Sequence, residues 1–100
     1  MTDTIMYAVT DPDGTQRQVR FKGRDAWALD ELIAAGDIGC TPISHPGPRW
    51  SGYIHKLRRA GLHIETLHEA HDGPFAGHHG RYILHSRVRR VSPAEAREAA

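Results

Sequence analysis

Arg49-Trp50-Ser51-Gly52-Tyr53-Ile54-His55-Lys56-Leu57-Arg58-Arg59-Ala60-Gly61 is the stretch on which the fold turns. Trp50, Ile54 and Leu57 recur at steps of four and three, with Tyr53 at the edge of the same stripe. That spacing predicts an amphipathic helix over 49–60, and Gly61 supplies its stop. Arg49, Gly52, His55, Lys56 and Arg59 fall on the remaining surface. Upstream, His45-Pro46-Gly47-Pro48 is a break, with Pro48 suited to the first positions of a new helix. Downstream, 62–69 (LHIETLHE) and 81–86 (RYILHS) read as strands flanking a Gly/His-rich loop over 70–80.

Working outward, Gly39-Cys40-Thr41-Pro42 starts at most a short helix. Thr41 can cap it and Pro42 suits its first position, but Pro46 ends it after about one turn. Before it, 23–35 predicts the first long helix, with Ala28, Leu29, Leu32 and Ile33 as the buried stripe and Asp25, Asp30 and Glu31 toward water. Gly36 is the expected C′ residue. Trp27 is expected in the core or as a lid over the N-terminal hairpin. That hairpin is read from 4–10 (TIMYAVT) and 15–21 (TQRQVRF), joined by Asp11-Pro12-Asp13-Gly14, a type I turn in which Pro presets φ and Gly accepts a positive one. Its Arg17, Arg20 and Lys22 make it moderately basic. Ser92-Pro93-Ala94-Glu95 is a capping box with proline at N1, so a short C-terminal helix over 92–100 is expected.

One hundred residues make one domain with a modest core, here 1–91 with 92–100 as a helix or tail. An apolar fraction of 39% argues against disorder. The single Cys40 excludes an intramolecular disulfide. With no secretory N-terminus and no apolar run of bilayer-spanning length, the expected compartment is the cytoplasm, with no membrane partner.

The net charge is only +1, but its signs are segregated. No Asp or Glu occurs over 38–64, which holds Arg49, Lys56, Arg58 and Arg59. None occurs over 73–94 either, which holds Arg81, Arg87, Arg89 and Arg90. Such a distribution implies one cationic side, either a solvated face or a polyanion surface.

The order helix, short turn, helix, hairpin resembles the winged helix-turn-helix domains. More narrowly, Ile54-His55-Lys56-Leu57-Arg58-Arg59-Ala60-Gly61-Leu62-His63-Ile64-Glu65-Thr66 is similar to the I-x-x-L-R-x-x-G-x-x-I-x-T run of a small bacterial and phage group. The resemblance covers about 23–86 and implies an α+β winged helix, to which the N-terminal β-hairpin and the short C-terminal helix are additions. It implies that the helix over 49–60 reads a DNA major groove while the second hairpin touches a neighbouring groove or backbone. The short helix before it departs from the pattern, which usually allows two turns or more.

The residues suit that chemistry. A groove-reading helix needs an apolar back and a front of long donors. Arg49, His55, Lys56 and Arg59 are the donors, Ser51 adds a hydroxyl, Gly52 permits close approach, and Arg81 sits where the loop rejoins the strand as a backbone contact. The expected function is therefore that of a small bacterial or phage-derived transcription regulator binding double-stranded DNA. So few contacts imply weak binding by one copy, hence a homodimer or tandem sites. The alternative is a winged-helix protein-interaction module that uses the acids Asp30, Glu31 and Asp37 or the second hairpin.

Other chemistries find little support. His63, His68, His71, His78, His79 and His85 are dense, yet a structural zinc usually recruits paired cysteines and no H-E-x-x-H is present, so no metal and no cofactor is expected. Cys40 is expected as a small buried apolar residue. Without a nucleophile elbow, a phosphate loop or a dinucleotide fingerprint, no enzymatic role is expected.

Overall fold

The computed structural model of the chain describes residues 4–46, 49–71 and 77–92. Strands β1 (Ile5–Thr10) and β2 (Gln16–Phe21) form the expected first hairpin, and helix α1 (Gly23–Ala35) follows. Then come a short 3-10 turn (Gly36–Ile38), helix α2 (Trp50–Arg59), and strands β3 (Ile64–His71), β4 (Gly77–Leu84) and β5 (Arg87–Arg90). The C-terminal helix expected from residue 93 onward, Gly47-Pro48 and the loop tip at 72–76 lie outside the described residues.

β5 has no counterpart among the elements expected from sequence. It pairs antiparallel with β1, so the first hairpin is in fact a three-stranded sheet in the order β2-β1-β5. Its four residues are three arginines and one valine, which carry no strand signature of their own. The second sheet is the β3-β4 hairpin. Here the expected loop over 70–80 is corrected. The register runs on to pair Ala70 with His78 and His71 with Gly77, so both strands reach deep into the Gly/His-rich segment. Cys40 adds an isolated bridge to Tyr82, its N–H donating to the Tyr82 carbonyl at 2.9 Å and its carbonyl accepting from Tyr82 at 2.8 Å. Gly39 makes that approach feasible. A Cβ at this position would stand 2.6 Å from the Tyr82 oxygen, and its φ is +76°.

One core joins both sheets and both helices. Tyr7 and Val9 from β1, Leu29 and Leu32 from α1, and Trp50, Ile54 and Leu57 from α2 are all buried in it. Ile33 is only partly buried at its edge. Trp50 ties the parts together. Its ring lies 5.4 Å from Trp27 of α1 and 6.0 Å from Tyr53, and stacks within 16° of parallel on Tyr82 of β4. Its indole N–H donates to the His45 carbonyl at 2.7 Å. Trp27 therefore caps α2 rather than the first hairpin, with the Arg24 guanidinium 4.1 Å above its ring. Between the helices, Thr41 makes the expected single turn. Its hydroxyl accepts from the Ile43 and Ser44 N–H groups, and its carbonyl accepts from His45.

The α1 acids do not simply face water, as their spacing suggested. Asp30 accepts from the Tyr7 hydroxyl at 2.7 Å and from Arg90 Nε at 3.1 Å, locking the sheet to the helix. Asp25 lies 3.4 Å from Lys56, and Glu31 3.5 Å from His45. Partial burial works to raise the Asp30 pKa. The hydrogen bonds from Arg90 and Tyr7, with the Arg90 charge, outweigh it and hold the carboxyl below its ordinary value. Burial and the bond to Asp30 push the Tyr7 phenol upward.

Two outcomes are expected. Trp50→Ala removes the shared packing piece and costs about 3–5 kcal/mol in equilibrium denaturation, as for other buried aromatics; Trp50→Phe, which keeps most of the volume, costs less. For Asp30 the folded pKa lies below the unfolded value of ~3.9. Its contribution is thus present above that pH and fades as pH falls through the folded value. Denaturation across a pH series should show wild type losing stability on acidification more steeply than Asp30→Asn; parallel profiles would remove this role.

Candidate functional site

α2 presents two clean faces. Trp50, Tyr53, Ile54 and Leu57 are buried, whereas Ser51, Gly52, His55, Lys56, Arg58 and Arg59 are exposed. At 100° per residue, Gly52, His55 and Arg59 lie opposite the buried stripe, with Ser51 and Arg58 on one flank and Lys56 on the other. The basic last turn also complements the helix dipole.

The exposed cations divide by how they are held. Arg58 is committed: its Nη2 donates to the Ile64 carbonyl at 2.7 Å and to Thr66 Oγ1 at 2.8 Å, bracing β3 against the helix. Lys56 lies 3.4 Å from the Asp25 carboxylate, but its side chain is 66% exposed, so this is a solvent-screened pair of small energetic consequence. Arg59 and His55 have no bonded partner among the described residues. Gly52 is open, since a Cβ there would meet only the Arg49 Cβ at 3.8 Å.

Arg49 precedes the helix rather than beginning it. It is exposed and takes φ +63°, ψ +44° at the N-cap, a left-handed conformation that L side chains adopt at a cost of about 1–2 kcal/mol. No side chain caps the N-terminus of α2.

Arg81, expected as a backbone contact, is engaged within the chain. Its Nε and Nη2 bond both Glu69 oxygens, at 3.0 and 2.8 Å, and its Nη1 donates to the Ile38 carbonyl at 2.9 Å. The sequence spacing hides this partner; the antiparallel register brings Glu69 opposite His79, two residues from Arg81. The hydrogen bond from Arg81, reinforced by His79, holds the Glu69 carboxyl below its usual range. Arg81 is thus a strut between the β3-β4 hairpin and the 3-10 turn.

A further structural cation stands out only in three dimensions. Arg17 crosses from β2 to the C-terminus of α2, donating to the Ala60 and Gly61 carbonyls at 2.7 and 2.9 Å while its Nε pairs with Asp11 at 3.1 Å. It satisfies carbonyls that end a helix. Its pairing with Val9 turns it to the inner face of the sheet, and nothing local in the sequence disclosed what it would meet.

The histidines pair with acids across the second sheet. His79 Nε2 lies 2.9 Å from Glu69, and His85 Nε2 lies 2.7 Å from Glu65, with the His63 and His85 rings 5.3 Å apart. Among the described residues no group of three or more His, Cys, Asp or Glu side chains is placed to hold a metal ion. None of the described helices is long and apolar enough to cross a membrane. Cys40 is fully buried beside Tyr82, and burial, with the Glu31 charge adding to it, pushes its thiol up to about 11.

A family model described as a winged helix domain matches residues 18–94. No curated protein matches the chain significantly, and no solved structure does. The matched segment includes both helices, the second hairpin, β5 and most of β2, but not β1, which lies between β2 and β5 and pairs with both.

The Cys40 environment yields a direct check. At neutral pH the native thiol should resist iodoacetamide and react rapidly only after denaturation; fast labelling of native protein would contradict the burial.

Proposed function

We propose that this chain, which belongs to the winged helix domain family, binds double-stranded DNA through the outer face of α2 and acts as a small bacterial or phage-derived transcription regulator in the cytoplasm, without enzymatic activity. The observation that carries this reading is the acid-free front of α2. Gly52, His55 and Arg59 point away from a buried apolar back, flanked by Ser51, Lys56 and Arg49. A helix of this form fits the major groove, where an arginine fork bonds two acceptors of guanine. Arg59 and Arg49 are the base-reading candidates. Lys56 is a phosphate contact, released from its exposed pair with Asp25 when a phosphate replaces the carboxylate.

Arg49 and Gly52 support the same reading through their costs. A cation is kept in a left-handed conformation that glycine would adopt freely, and a glycine is kept inside a helix where alanine would fit. Residues that cost stability without local compensation point to a demand from outside the fold. The second hairpin, braced by Arg58 and Arg81, then serves as a stiff flank beside the groove. One helix gives a small footprint, so a homodimer or tandem sites completes the complex.

A protein-docking role is the second reading. It draws on Ile38 and Ile43, which are 76% and 57% exposed in the segment between the helices. It requires no duplex binding even at low salt.

Fluorescence anisotropy with random-sequence duplex decides between them. Wild-type affinity should fall steeply with salt; Lys56→Ala should make the log–log slope shallower by about 0.9, the share of one phosphate contact, and Arg59→Ala should weaken binding with less change in slope. Gly52→Ala should stabilise the fold by about 0.5–1 kcal/mol while weakening binding. A duplex affinity that is absent, or indifferent to all of these changes, rejects the DNA reading.

A further inference from the structure

The three-stranded sheet has a second face that the α2 reading leaves unused. Directly paired residues share a face, and Tyr7 and Val9 point into the core. The opposite face therefore carries the alternate positions in three rows. Arg20 stands beside Met6, Ala8 lies between Gln18 and Arg89, and Thr10 lies between Gln16 and Arg87. Gln16, Gln18, Arg20, Arg87 and Arg89 are all exposed. The centre of the face is low, made of Met6, Ala8 and Thr10, with the long side chains along both outer strands.

This face is as one-sided in charge as the front of α2. Among the described residues it bears no carboxylate. The acids of the β1-β2 turn are engaged there, Asp11 with Arg17 and Asp13 with the Thr15 N–H at 2.9 Å. Two further arginines of these strands lie inward, Arg17 at the end of α2 and Arg90 on Asp30, and Arg89 is also engaged. What remains outside is a shallow surface of guanidinium and amide donors. An apolar or cationic partner would gain nothing from it.

We propose that the outer face of the β2-β1-β5 sheet is a second nucleic-acid surface, on which Arg20 and Arg87, with Gln16 and Gln18, contact the phosphodiester backbone. Guanidinium and amide donors suit phosphate oxygens, and a flat array without base-reading depth gives affinity without sequence preference. Arg20 on β2 and Arg87 on β5 stand on the two outer strands, on either side of β1. The face thus spreads its charges over an area rather than focusing them on one small anion. The inference rests on the reading of the chain as a DNA-binding protein and adds a second contact area to it.

The test uses the full chain and random-sequence duplex DNA over a salt series, comparing wild type, Arg20→Gln/Arg87→Gln and the α2 variant Lys56→Ala/Arg59→Ala. Circular dichroism and thermal melting check that the exposed sheet substitutions leave the fold intact. The sheet variant should make the log–log salt slope shallower by about 2, and Arg20→Lys/Arg87→Lys should restore it because the charge returns. Wild-type slope and affinity in the sheet variant, with a loss in the α2 variant, would overturn this surface and leave the α2 reading standing. Absence of duplex binding by wild type would overturn both. The phosphates belong either to the flank of the duplex on α2 or to another duplex. Co-precipitation of two differently labelled duplexes, lost in the sheet variant, identifies the second source; a slope contribution that grows with duplex length, without co-precipitation, identifies the first.

Discussion

The Trp50 indole is the piece on which the arrangement depends. It opens α2, contacts Trp27 of α1, stacks on Tyr82 of β4, and donates its N–H to the turn that precedes it. Helix, turn and second hairpin are thereby registered on one side chain. A buried aromatic of this size contributes several kcal/mol, comparable with a large share of a small domain's net stability. Because Trp50 must point inward, the residues a half-turn away must point outward. The orientation of His55 and Arg59 is thus a consequence of packing.

A second constraint decides which cations are free. Charges that are segregated along the chain are partly recombined in space. Asp30 takes Arg90, Glu69 takes Arg81, and Arg17 spans Asp11 and the end of α2. These side chains tie sheet to helix, hairpin to turn and strand to helix end. The first hairpin is consequently not an appendage. β1 supplies Tyr7 and Val9 to the core and joins the two strands on either side of it. Once the structural cations are set aside, exposed cations remain among the described residues on the front of α2 (Arg59) and on the outer face of the three-stranded sheet (Arg20 and Arg87).

Much of this architecture was legible in the chain. The four-and-three spacing of Trp50, Ile54 and Leu57, the turn chemistry at Asp11–Gly14 and the proline break before residue 49 located the main elements closely. β5 was not legible, since Arg87-Val88-Arg89-Arg90 is a strand only because β1 offers an open edge. The true length of the second hairpin was obscured by Gly77, Gly80 and the histidines, residues that favour loops until a register pairs them. At the candidate site, the helical face was readable from periodicity alone, whereas the commitment of Arg81 was not, because Glu69 lies twelve residues away along the chain.

By itself, the sequence determined the local periods: which helix faces are apolar, where turns and stops fall, and that α2 carries its cations opposite its core stripe. Those properties follow from side-chain spacing and backbone preference within a few residues. Only the tertiary structure decided which charges are consumed internally, that the N-terminal strands and β5 make one sheet, and that this sheet has a cationic outer face. These are outcomes of pairing between distant segments, and ion pairs and strand edges depend on distances that separation along the chain does not encode.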